Sequence, residues 1–182
     1  MSNIFVRNNT VNTELYTAYS NLTTAIRLDG NSSNVTIERN KLQQVGAVAD
    51  SREAAYPDRF NLIRVGVAPT ANPANVIIKH NDFSRITQQN YLYIGSSVTN
   101  TVTASENWWG SQANPASKIT NSSATVVSSP WLCGPWGTNP ASTTDGSCDS
   151  TAPTDVVAIS AIDGKFVQNA NQDITFSAED DA

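Results

Sequence analysis

Histidine, cysteine and basic residues are scarce in this chain, and each shortage closes off a class of chemistry. The single histidine, His80, has no Gly-x-Ser-x-Gly elbow to serve, so a serine-nucleophile reaction lacks its parts. Neither cysteine, Cys133 or Cys148, has a histidine or a second cysteine at a zinc-ligand spacing. Lys and Arg total 11 against 16 acidic residues, for a net charge of −5. No basic run stands out, which excludes a phosphate-reading surface and argues against a nucleic-acid partner. No apolar run nears the roughly 20 residues that span a bilayer. The opening MSNIFVRNNTV has no apolar h-region and is not a signal peptide. It reads as mid-strand, and the closing ITFSAEDDA also stops inside a β pattern, so the chain reads as a fragment.

What is abundant is Asn, Ser, Thr and Ala, while helix-forming Leu, Glu and Lys are thin. That balance favours strands and polar turns. A length of 182 residues leaves room for one domain and part of another. Four segments superimpose without gaps: NIFVRNNTV (3–11), NVTIERNKL (34–42), NVIIKHNDF (75–83) and TVTASENWW (101–109). Each opens on an alternation that points Ile4/Val6, Val35/Ile37, Val76/Ile78 and Val102/Ala104 inward. Three residues on comes Asn9, Asn40, Asn81 and Asn107, and two further Val11, Leu42, Phe83 and Trp109. Asn tolerates the left-handed backbone region, and its amide can bond an identical Asn on a neighbouring strand about 4.8 Å away. The column is therefore expected to be an internal asparagine ladder at a left-handed turn.

A second strand series, Ala25–Leu28, Leu62–Val65 and Tyr91–Ile94, precedes the first, and a glycine (Gly30, Gly66, Gly95) follows each member. Its inward residues are Ile26/Leu28, Ile63/Val65 and Leu92/Ile94. Two strand series and a turn column per repeat imply a coil of parallel strands. Hairpins favour tight Asn-Gly turns, and no Asn-Gly pair occurs. The outward residues of this second series, Arg27, Arg64 and Tyr93, share one alignment position. Stacked arginines repel unless an anion lies across them, and Arg grips carboxylates in bidentate fashion. The row is thus a candidate binding face for an acidic glycan; the alternative is that the Arg stems cover apolar surface with carboxylates for partners. Columns Arg7/Glu38/Lys79/Ser105 and Asn8/Arg39/His80/Glu106 read as a solvated, charge-paired face that makes His80 structural. The long excursion 43–60 holds Asp50, Glu53, Asp58 and Arg59, a weak candidate for a carboxylate pair of the glycosidase kind and more simply a solvated loop. Calcium at Glu179, Asp180 and Asp181 lacks the spaced acidic pattern of a dedicated loop, so no cofactor or metal is expected.

At Ala104–Pro115 (ASENWWGSQANP) the sequence resembles the last circuit of right-handed parallel β-helix repeat proteins of bacterial and archaeal secreted proteins. The matching parts are Asn107-Trp108-Trp109-Gly110, Asn114-Pro115 and Ser129-Pro130-Trp131-Leu132, over roughly residues 1–132. The resemblance implies an all-β fold, a right-handed parallel β-helix end of about four circuits. It reads Trp108, Trp109 and Trp131 as a cap over the open solenoid end, with sugar stacking as the rival role. After Leu132 a Gly/Pro/Ser/Thr-rich stretch, 133–153, reads as a tail and linker stapled by a Cys133–Cys148 disulfide, which would mark an oxidising compartment; free thiols are the alternative. Residues 154–182 look like the start of a bacterial immunoglobulin-like domain, too short to bury a sandwich core. The expected role is a non-catalytic structural or glycan-binding region of a secreted, multi-domain surface protein. Its expected partners are a polysaccharide or cell-surface glycan and further domains of the same parent. The alternative is the C-terminal end of a β-helix polysaccharide lyase or glycoside hydrolase whose active site lies largely elsewhere. The Gly-His-Gly and Arg-x-Lys segments of β-helix polygalacturonases do not occur here.

Overall fold

A computed structural model describes residues 3–14, 23–45, 60–66, 68–84, 90–137, 143–144 and 148. The excursion acids Asp50, Glu53, Asp58 and Arg59, and the immunoglobulin-like segment 154–182, lie outside the described residues.

The regular secondary structure of the described residues is almost all strand, arranged mainly in parallel sheets. Sheet A takes β1 (Ile4–Arg7), β4 (Ser33–Glu38), β7 (Ala74–Lys79), β10 (Val102–Thr103) and β12 (Val126–Val127) in that order. Sheet B takes β2 (Thr10–Glu14), β5 (Lys41–Val45) and β8 (Asp82–Ser84). Sheet C takes β3 (Thr23–Leu28), β6 (Phe60–Val65), β9 (Leu92–Ile94) and β11 (Ile119–Asn121). The chain visits A, B and C in rotation, and each strand lies parallel to its counterpart one circuit on. Sheet B corrects the expectation of two strand series. The residues after each ladder asparagine, read as a turn, are themselves paired: Thr10 to Lys41, Val11 to Leu42, Lys41 to Asp82, Leu42 to Phe83.

Register explains burial. Ile4 pairs with Val35 and Val35 with Val76, then Val76 with Val102, so one inward column runs down sheet A. Val35, Ile37, Val76, Ile78, Val102 and Ala104 are buried, while Thr36 and Ile77 face out between them. Ile63, Val65, Leu92 and Ile94 line the core from sheet C, and Leu42, Phe83 and Trp109 from the third side. The eleven of these side chains that are Val, Leu, Ile or Phe contribute about 1.5–3 kcal/mol each on burial. This apolar interior is what closes the three sheets on one another.

The four-fold asparagine column lies between sheets A and B, with one correction. Positive φ falls on the preceding residue, at Asn8 (59°), Arg39 (55°), His80 (54°) and Glu106 (56°). The ladder asparagines themselves are clamps. Each donates its amide back across the bend, Asn40 to Glu38 O and Asn81 to Lys79 O, and so holds the tight corner that the left-handed residue makes.

Past β11 and β12 the chain forms β13 (Trp131–Leu132), which pairs antiparallel with β14 (Thr143–Thr144). Cys133 and Cys148 form a disulfide across this tail, with Cα atoms 5.5 Å apart. The unit that contains the three sheets runs from Met1 to Cys148, so the stapled segment belongs with the sheets up to that cysteine.

Candidate functional site

Asparagine chemistry dominates the interior. Asn9 donates its backbone N–H and its amide to Asn40 Oδ1, at 3.1 and 2.9 Å. Asn40 does the same to Asn81 Oδ1 (3.0 and 3.0 Å), and Asn81 to Asn107 Oδ1 (2.9 and 2.9 Å). Asn40, Asn81 and Asn107 are at most 1% exposed. Each amide also reaches a main-chain carbonyl on the neighbouring strand, as Asn40 to Val6 O and Asn81 to Ile37 O. Buried polar groups stay only where they are satisfied, and the ladder satisfies itself.

Further asparagines were not singled out from sequence. Asn75 donates to Asn34 Oδ1 at 2.9 Å at the start of the sheet A strands β7 and β4, both with positive φ. Asn72 links Asn31 and Asn100 on the next bend. The signal was present, since Asn3, Asn34 and Asn75 open three of the four aligned segments. Lys118 was also missed. It is 3% exposed, donates Nζ to Trp109 O and Ser111 Oγ (2.6 Å), and lies 5.1 Å from the Tyr91 ring centroid. Burial pushes its amine below the usual lysine range. It occurs once, so no repeat could mark it.

The arginine row is in the expected register: Arg27 pairs with Arg64, and Arg64 with Tyr93. Its exposure is not as expected. Arg27 is open and ion-paired with Asp29, and Tyr93 is half-buried, but Arg64 is only 2% exposed. Every residue from Phe60 to Val65 is buried, so β6 is covered on both faces. An unbroken cationic strip is therefore not offered to a ligand. The row of Arg27, Arg64 and Tyr93 thus consists of one exposed arginine, one covered arginine and a half-covered tyrosine. An outward-pointing side chain in a strand is exposed only where nothing packs on that face, and the strand's own pattern does not carry that information.

Among the described residues, an open surface lies on the outer face of sheet A. A trough of about 240 Å³ is lined by Asn3, Phe5, Asn34, Thr36, Asn75 and Ile77. Phe5 and Ile77 are 50% and 39% exposed, and Arg7 lies 4.7 Å over the Phe5 ring. Beside it, Arg7 pairs with Glu38 at 3.8 Å. On the next corner His80 Nε2 lies 2.9 Å from Glu106 Oε2, and its ring stacks on Trp136 at 4.2 Å. Arg39 approaches the same indole at 5.9 Å. These contacts dock the disulfide-bounded tail onto the sheets. Asp82, in register with Lys41, has its carboxyl pushed above the usual range by burial, with Lys41 opposing.

The tryptophans divide. Trp109 is wholly buried, edge-on to Phe83 with centroids 5.0 Å apart, and closes the Leu42/Phe83 column. Trp131 is 2% exposed and donates Nε1 to Gln112 O at 3.2 Å. Trp108 is half-buried and bridges Asp82 through its backbone. Buried indoles cannot stack on a sugar, so Trp109 and Trp131 are packing residues. Among the described residues no three His, Cys, Asp or Glu side chains come together as metal ligands, and no helix is long and apolar enough to cross a membrane. Comparisons of the chain with protein-family models, curated proteins and solved structures find no match.

Proposed function

We propose that this chain is the closed end of a right-handed parallel β-helix and that its role is structural: a rigid, non-catalytic segment of a secreted or surface-exposed protein. The observation that carries this reading is the buried asparagine ladder, which ties successive circuits through four residues in strict register. From Asn40 to Asn107 the ladder binds only its own neighbours and the adjoining main chain. Right-handedness follows from the general rule that parallel strands in one sheet are joined by right-handed crossovers. The disulfide supports an oxidising compartment. His80 is engaged with Glu106 and Trp136, and Lys118 with Trp109 O and Ser111, so both contribute to the fold. Further domains of a parent chain, including an immunoglobulin-like one after residue 153, are part of this proposal.

The test is incubation of the folded protein with acidic and neutral polysaccharides. Product is followed as unsaturated uronides and as new reducing ends, and binding by titration calorimetry. The structural reading expects neither product nor saturable heat. Turnover of any of these polymers overturns it in favour of a lyase or hydrolase.

A further inference from the structure

The two ends of the sheet stack differ, and the difference has a direction. At one end β1, β2 and β3 are the terminal strands of sheets A, B and C, each with an unpaired edge among the described residues. The apolar residues there are only partly buried: Ile4, Val6, Val11, Ile26 and Leu28. Their register partners one circuit on, Val35, Ile37, Leu42, Ile63 and Val65, are at most 1% exposed. At the other end Leu132 N–H donates to Asn107 O, Trp131 and Leu132 are 2% exposed, and the Asn107 amide is used up on the carbonyls of Ile78, Ala104 and Ser105. That end is closed.

The ladder is polar in the same sense. The Oδ1 atoms of Asn40, Asn81 and Asn107 each accept from the backbone N–H and amide of the asparagine one circuit earlier. Asn9, the first member, donates to Asn40 and to Arg7 O, while its own Oδ1 accepts nothing among the described residues. An acceptor of this kind fits one partner, an asparagine that presents its N–H and amide together from a parallel strand.

We propose that the β1–β2–β3 end is an assembly edge that receives one more circuit of the same pattern, paired in parallel ahead of β1, with its asparagine donating to Asn9 Oδ1. This rests on the β-helix reading above and adds the partner. A second copy of the chain is the wrong occupant in either orientation. Head to head, two Asn9 acceptors oppose each other and the strands run antiparallel. Head to tail, Trp131 and Leu132 block the approach and the Asn107 amide is already engaged.

The experiment extends the full chain at its start, placing a copy of residues 33–65 followed by residues 29–32 ahead of Ser2. This puts the copied Asn40 one circuit before Asn9. The expected result is a higher Tm, at least tenfold slower amide exchange across residues 4–13, and loss of both gains on Asn9→Ala. Should the extended chain fail to fold, a labelled peptide copying Ser33–Val45 is titrated into the original chain. It binds, and its Asn40→Ala form binds at least tenfold more weakly. Unchanged exchange at residues 4–13, or peptide binding indifferent to Asn40, overturns the proposal while Asn81→Ala still lowers the Tm. Concentration-dependent dimerisation of the original chain that the extension abolishes also overturns it, by assigning the edge to a second copy. If Asn81→Ala leaves the Tm untouched, it is the β-helix reading that fails, and this proposal with it.

Discussion

Replacing Asn81 with alanine removes the most connected side chain of the ladder. Asn81 is wholly buried, accepts from Asn40 N–H and Nδ2, and donates to Ile37 O, Lys79 O and Asn107 Oδ1. Its own backbone N–H still reaches Asn107 Oδ1 in the variant. What is orphaned is Asn40 N–H, and the two carbonyls each lose a donor. At about 1–3 kcal/mol for each buried group left unpaired, with partial relaxation, the loss is about 3–5 kcal/mol. Against a typical stability of about 5–15 kcal/mol this is severe, and at about 2–4 °C per kcal/mol it lowers Tm by about 10 °C. Asn81→Asp is nearly isosteric and worse at pH 7, because a buried carboxylate would face three acceptor oxygens. Repulsion raises its folded pKa above the unfolded value, so the variant regains stability as pH falls through that raised value. Urea unfolding followed by far-UV circular dichroism should rank the proteins parent, Ala, Asp at pH 7. It should also show the Asp variant approaching or passing Ala in acid. An Ala variant within about 1 kcal/mol of the parent, or an Asp variant above Ala at pH 7, would refute the idea that the ladder is held by these bonds.

Arg64→Ala costs at least about 2 kcal/mol through lost packing of a buried stem, whereas Arg27→Ala stays within about 0.5 kcal/mol, since an exposed pair contributes little; parallel urea melts decide. Asp82→Asn raises the Tm at pH 7. The raised carboxyl pKa means the parent is penalised while ionised in the fold and gains stability as pH falls from that raised value towards 3.8, so the variant's advantage shrinks over that window. A variant whose advantage grows in acid contradicts this. Reducing the Cys133–Cys148 disulfide, with a sequence separation of 15, lowers stability by about 3 kcal/mol and frees Trp136 from His80. Trp fluorescence in Cys133→Ser and in reduced parent should change alike.

Repetition decided what was legible. The inward pairs of sheets A and C and the asparagine column each occur three or four times, so chance alternation averages out. Sheet B was read as a turn because its strands carry one inward apolar residue, Val11, Leu42 or Phe83, followed by polar Asn12-Thr13, Gln43-Gln44 or Ser84. Gln44 is nonetheless buried. Its burial follows from tertiary position, which period-2 patterning does not encode. Arg64 failed for the same reason, since a strand's own alternation does not say whether its outer face is covered. Lys118 failed because a single buried cation has no partner column.

The left-handed column shows how the fold divides strain from recognition. Asn8, Arg39, His80 and Glu106 share a φ of 54° to 59° yet have little chemistry in common. Non-glycine residues in this region cost about 1–2 kcal/mol. That cost recurs at this corner in each circuit, and the next residue is asparagine each time. Its amide bonds the carbonyl two residues back, closing the bend, and its Oδ1 ties the bend to the circuit before. Strain is therefore carried by a position free to vary and is offset at one that is not. Arg39→Gly should follow from this: glycine relieves the strain, loses about as much through unfolded-chain entropy, and leaves stability within about 1 kcal/mol. Asn40→Gly, one residue along, strips the clamp and orphans Asn9 N–H, costing several-fold more. If the two variants lose equal stability in urea, the corner is held by the left-handed residue itself and the asparagine is incidental to it.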